Sequence, residues 1–178
     1  MTDLGQELRG HLREIPDFPK PGITFIDITP LLRDPRSLGR AVDALADWAG
    51  ALSFDVIVSP EARGFILGAP LAVRMGKGFI PVRKPGKLPS EVERGRYHLE
   101  YGEAELEIHK DAVQRGVRAI IVDDLLATGG TARAASDLVE ALGGTVVAAG
   151  FLVELTPLRG RLRLGNVPVF AAVPMETA

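Results

Sequence analysis

Residues 120–131 read IIVDDLLATGGT. An apolar, strand-like run ends in two adjacent carboxylates, Asp123 and Asp124. A short loop of small residues follows, and then the helix-like stretch ARAASDLVEAL at 132–142. Such a junction suits an anion. Glycines let the main chain approach a phosphate without a Cβ clash. Successive N–H groups form a concave nest, and the helix start adds its positive end. Ala127, Thr128, Gly129, Gly130 and Thr131 are the candidate phosphate loop, with the two threonine hydroxyls as extra donors. The carboxylates would repel a bare phosphate, so they serve another part of the same ligand. A pair of ribose hydroxyls fits, because ionised carboxylates only accept hydrogen bonds. Neither a G-x-x-x-x-G-K-[ST] loop nor a G-x-G-x-x-G turn after the first strand is present, so the two common nucleotide signatures do not apply. A plain strand-to-helix turn is the competing reading of the TGG tripeptide taken alone.

Outward from this junction, strands and helices alternate. DVIVS (55–59), GFIPVRK (78–84), VRAIIVD (117–123), TVVAAGFLVEL (145–155) and VPVFAAV (167–173) read as strands. FILGAPLAVRM (65–75) reads as a helix stopped by Gly76. Ser37 is the expected cap of another helix, which puts Leu38, Val42, Leu45, Trp48 and Leu52 mostly on one face. The pattern predicts an α/β fold with a mainly parallel, twisted sheet flanked by helices. Ligands in such sheets lie beyond the carboxyl ends of the strands. Asp123, Asp124, the turn after Ser59 and the turn after Arg83 would meet there. Residues 85–101, PGKLPSEVERGRYHLEY, lose the pattern and form either a lid or an exposed surface loop. Residues 104–115 are expected to be helical or mixed. A length of 178 residues predicts one domain, 1–178.

Composition narrows the chemistry. With 21 basic and 23 acidic residues, no global charge for nucleic acid is present. The lack of cysteine excludes disulfides, thiol catalysis and Cys-based zinc sites. His11, His98 and His109 show no metal-ligand spacing. The longest strongly apolar stretch, around 146–153, is too short to span a bilayer. The N-terminal stretch is polar without an apolar signal core, so a cytoplasmic protein is expected, with neither a nucleic acid nor a membrane as partner.

The segment at 120–131 resembles the phosphoribosyl diphosphate (PRPP) motif of type I phosphoribosyltransferases. Its LLATGGT form is similar to that of the adenine phosphoribosyltransferase family. PDFPKPGITFIDITPLLRDP (16–35), ARGFILGAPLA (62–72), GFIPVRKPGKLP (78–89), YHLEYG (97–102), ELEIHKDAV (105–113) and LVELTPLRGR (152–161) resemble that family's segments in the same order. The resemblance implies the type I fold with a flexible hood or lid, and the conversion of adenine and PRPP to AMP and diphosphate. It implies Mg²⁺ carried on substrate oxygens and waters, with no direct protein ligand and Asp123 behind those waters. Arg63, Arg83, Lys84 and Lys87 would hold diphosphate. Glu100, in LEYG, would be the acid–base group, and Tyr101 would order the lid over the ribose. Thr24, Phe25, Ile26 and Leu155 would hold adenine. Phe25 would stack on the base, backbone groups near Thr24 and Ile26 would read its edge, and Leu155 would cover its other face. By residue type alone, Phe25 and Ile26 are equally core residues. Ile26 stands where many members carry a charge.

The resemblance also implies a cis peptide at Glu61–Ala62 and a homodimer, with one subunit's basic loop near the other's site. The partly apolar stretch 27–35 is a candidate for the contact. Two alternatives stay open: a transferase for another purine, guanine or xanthine, and a PRPP-sensing regulator without activity.

Overall fold

The computed structural model describes residues 3–98 and 103–177. In chain order its elements are α1 (Asp3–Arg9), β1 (Arg13–Ile15), β2 (Phe25–Asp27), α2 (Thr29–Arg33), α3 (Pro35–Ala49), β3 (Val56–Pro60), α4 (Arg63–Met75), β4 (Gly78–Val82), β5 (Val92–His98), β6 (Glu103–His109), β7 (Arg118–Leu126), α5 (Gly130–Ala141), β8 (Thr145–Leu155) and β9 (Val169–Met175). Short 3₁₀ turns at Thr156–Leu158 and Gly160–Leu164 join β8 to β9.

Five parallel strands form the central sheet in the order β4-β3-β7-β8-β9. Their apolar runs are nearly continuous because helices cover both faces. Successive side chains point to opposite faces. Ile57 and Ile120 therefore pack with Leu8 of α1, Leu45 of α3 and Leu67 of α4. Their neighbours Val58 and Ile121 pack on the other side with Leu138 and Val139 of α5. Trp48 stacks on Phe170 with ring centroids 5.3 Å apart. It lies over Gly150, where a Cβ would come within 2.3 Å of the indole. The strand order reverses between β3 and β7, and such a switch point opens a crevice at the carboxyl ends. The site lies in that crevice.

Three expectations need correction. Asp34, not Ser37, caps α3: its carboxylate accepts the Ser37 N–H at 2.7 Å, and Ser37 is already inside the helix. Residues 104–115 are not helical. Residues 103–109 form β6, which pairs antiparallel with β5 from Val92↔His109 to His98↔Glu103. Consequently much of the stretch expected to be loop at 85–101 is strand. The cause is the period of EAELEIH. Leu106 and Ile108 alternate with glutamates and drop into the α5 side of the core, as a half-buried strand requires. β7 also continues past the paired carboxylates to Leu126 rather than stopping at them.

Candidate active site

Three turns and strand β7 close around a cleft of about 410 Å³ at the switch point. Glu61, Ala62 and Arg63 come from the β3–α4 turn, and Lys84 from the turn after β4. Asp123 and Asp124 come from β7, and residues 127–131 lead into α5. Asp123, Asp124, the turn after Ser59 and the turn after Arg83, which the sequence marked for this edge, thus meet. Leu125, Leu126 and Ala132 complete the wall.

The phosphate loop is shaped by contact with a remote segment. Gly129 has φ +82°, and a Cβ built on it would meet the Gly160 carbonyl oxygen at 2.4 Å. It precedes the first residue of α5, and no side chain caps that helix. The first-turn N–H groups therefore remain available to a ligand anion.

The acidic pair is buried and asymmetric. Asp123 Oδ1 accepts the Asp124 N–H at 2.8 Å. Burial first, and the adjoining Asp124 carboxylate second, push the Asp123 carboxyl well above the ordinary carboxylate range, against the pull of Arg63. The Arg63 guanidinium forms an ion pair with Asp124 Oδ2, yet that oxygen accepts no aligned hydrogen bond. A buried acceptor that meets a cation without an aligned hydrogen bond can still take one from a hydroxyl. Arg63 also sits over Phe25, its Cζ 5.5 Å from the ring centroid, a cation–π contact. Phe25 is edge-on to Phe18 at 5.3 Å. The Glu61–Ala62 peptide is cis.

The other residues singled out from the sequence are placed as follows. Arg83 does not line the cleft. Its Nε donates to Glu61 Oε2 at 2.7 Å, and its Nη1 donates to the Lys87 carbonyl at 2.9 Å. Lys87 is exposed on the same turn. Thr24 is half-buried beside Phe25, whereas the side chains of Ile26 and Leu155 are in the core on the α3 side. Glu100 and Tyr101 lie outside the described residues. Sequence reasoning missed Glu61 as a cleft residue. Its signal was its place immediately after a buried strand, as the first residue of the turn into α4.

Asp27 anchors the β1–β2 hairpin that carries Phe25. Arg13 reaches it at 2.5 and 3.1 Å, and the Thr29 N–H and hydroxyl each donate to it at 2.9 Å. The Arg13 hydrogen bonds first, and the Thr29 N–H second, lower its carboxyl to about 2. A folded-state value below the ordinary 3.8 means that ionisation favours the fold. The contribution is complete above about pH 4 and is lost as the pH falls through about 2. Asp27→Asn therefore lowers the unfolding midpoint near neutral pH, and the gap to the parent narrows as the pH approaches about 2. A gap that stays constant across that range would refute the linkage.

Among the described residues, no group of three or more His, Cys, Asp or Glu side chains is arranged to hold a metal, and no helix is long and apolar enough to cross a membrane.

A phosphoribosyl transferase domain matches residues 32–163 of the chain. An adenine phosphoribosyltransferase of Fervidobacterium nodosum is 52% identical over 167 residues, 94% of this chain and 98% of that protein. The crystal structure of an adenine phosphoribosyltransferase from Thermoanaerobacter pseudethanolicus superposes with a TM-score of 0.94 at 53% identity, over 96% of this chain and 99% of that one. The Saccharomyces cerevisiae adenine phosphoribosyltransferase, in complex with an imino-altritol bisphosphate and adenine, gives 0.90 at 42%, over 97% and 100%.

Proposed function

The chain belongs to the adenine phosphoribosyltransferases, and on that premise we propose how its cleft divides the reaction among its residues. The reaction is that of purine salvage: the 5-phosphoribosyl group passes from PRPP to adenine, giving AMP and diphosphate. Of the readings the sequence left open, the relatives support adenine over guanine or xanthine, and an enzyme over a regulator.

One observation carries the assignment of roles. A buried acidic pair and a glycine loop opening a helix face each other across a single cleft. Ala127, Thr128, Gly129, Gly130 and Thr131 hold the 5′-phosphate through main-chain N–H groups and hydroxyls. Asp123 and Asp124 accept from the ribose hydroxyls. Arg63 and Lys84 face the diphosphate, and their charges stabilise it as it leaves the anomeric carbon. Glu100 takes the proton that adenine N7 must lose as N9 attacks that carbon, and Tyr101 orders the chain over the ribose. Thr24 and the Ile26 backbone read the base edge and Phe25 stacks on the base, while Leu155, buried in the core, backs the pocket from behind.

Mg²⁺ fits the donor set. Asp123 is a hard carboxylate lining the cleft, suited to accept from waters of a hydrated ion carried on substrate oxygens. When bound, Mg²⁺ would neutralise diphosphate charge. A homodimer is supported by an exposed apolar stripe on α4, where Ile66 is 37% and Val73 84% accessible. Arg83 and Lys87 would then reach diphosphate in the partner's cleft.

Incubation with labelled adenine, PRPP and Mg²⁺ yields labelled AMP, and omission of PRPP or Mg²⁺ abolishes it. Equal turnover of guanine or hypoxanthine would overturn the adenine assignment, and no product from the complete mixture would overturn the function.

A further inference from the structure

Glu107 is the least expected buried charge in the molecule. It sits in the middle of β6 with 1% of its surface accessible. Leu106 and Ile108 beside it point into the core, so Glu107 points the other way, toward the basic turn after β4. Its Oε2 accepts the Gly86 N–H at 2.9 Å. Its Oε1 lies 3.0 Å from Arg94 Nε on the neighbouring strand. Its main chain completes the junction: the Arg83 N–H donates to the Glu107 carbonyl at 2.9 Å, and the Glu107 N–H donates to the Arg83 carbonyl at 2.7 Å.

On its other side the turn is held by Glu61, through Arg83 Nε at 2.7 Å. Arg83 folds back to the Lys87 carbonyl at 2.9 Å, and the Lys87 N–H donates to the Lys84 carbonyl at 3.3 Å. Three cations within five residues repel one another, and an unrestrained turn would splay them into water. Two carboxylates, one on each side, prevent this. They leave Lys84 facing the cleft, without an ion-pair partner among the described residues. A buried carboxylate is costly unless it is paired and hydrogen-bonded. Here it meets a main-chain donor and a guanidinium, both belonging to the structure that frames the turn.

We propose that Glu107 is a positioning residue for diphosphate binding, fixing the turn at 83–87 so that Lys84 presents its charge to the leaving group. The proposal rests on the reading of the cleft as the PRPP site. Glu107→Gln tests it. The amide keeps the shape but loses the charge paired with Arg94, and its NH₂ must face either the Gly86 N–H or the Arg94 guanidinium. The expected result is a rise in KM for PRPP of about tenfold or more, with kcat and KM for adenine within about twofold. The unfolding midpoint stays close to that of the parent.

The double variant Glu107→Gln/Lys84→Ala shows no larger rise than Lys84→Ala alone, because the two residues act through one contact. An unchanged KM for PRPP in folded Glu107→Gln, or fully additive effects in the double variant, overturns the proposal. So does an equal loss toward both substrates with a lowered midpoint. If Lys84→Ala itself leaves KM for PRPP unchanged, the reading of the turn fails and the proposal fails with it. An effect of Lys84→Ala without one of Glu107→Gln overturns the proposal alone. Should Glu107→Gln not fold, Arg94→Gln probes the same pair from its exposed side. A rise in KM for PRPP of about threefold or more supports the role, and no change overturns it.

Discussion

Gly129→Ala weakens PRPP binding by at least about 100-fold, equivalent to roughly 2.7 kcal/mol, and leaves adenine binding within about twofold. Two costs combine. The backbone at φ +82° is unfavourable for a residue with a Cβ. That Cβ would also arrive 2.4 Å from the Gly160 carbonyl oxygen, a main-chain atom held by its own neighbours. Gly160 is equally confined, since a Cβ there would meet the Ala127 carbonyl at 2.3 Å. Neither strand of this contact can yield without moving the N–H groups before α5. Titration of the folded variant with PRPP and with adenine separately checks the result. Equal losses for both, together with a lowered unfolding midpoint, would show general damage instead of a lost phosphate grip.

Glu100→Gln cuts AMP synthesis by about 100-fold or more and spares PRPP binding, the size expected when a positioned proton acceptor is lost. Adenine N9 becomes nucleophilic as N7 gives up its proton, and a glutamine cannot take it. Under the proposed roles PRPP affinity is unaffected, because the phosphate and the ribose hydroxyls are assigned elsewhere, to β7 and the loop before α5. Parallel measurement of PRPP affinity and single-turnover AMP formation separates the two. Turnover at the parental rate would remove Glu100 from the chemistry.

The sheet was legible where apolar runs were long and ended at glycines. The β8 stretch, TVVAAGFLVEL, matches its sequence reading residue for residue, because the strand is buried along nearly its whole length and its run from Val146 to Val153 is apolar. The β5–β6 hairpin was missed although EAELEIH carries the alternation of a half-buried strand; what the sequence hides is the burial of Glu107, since charged residues are taken to be exposed. Glu107 breaks that rule only through partners at Gly86 and Arg94, which no local window reveals. The α3 cap was misassigned because Asp34 and Ser37 are both good capping residues. Only geometry tells the acceptor from the N–H it receives. In the cleft, the type and position of Asp123, Asp124 and the 127–131 loop could be read in advance. Arg83's commitment to Glu61 could not, since the two are 22 residues apart.

The ion pair between Arg63 and Asp124 has a further consequence. Under the proposed roles, each of these groups serves a different end of the same molecule, and here they lie in contact with one another. Entry is therefore an exchange of partners. A ligand that offers only hydroxyls strands the guanidinium, and one that offers only phosphates strands the acid. On those roles, a molecule carrying both at the right separation is favoured over free pentoses and loose inorganic anions.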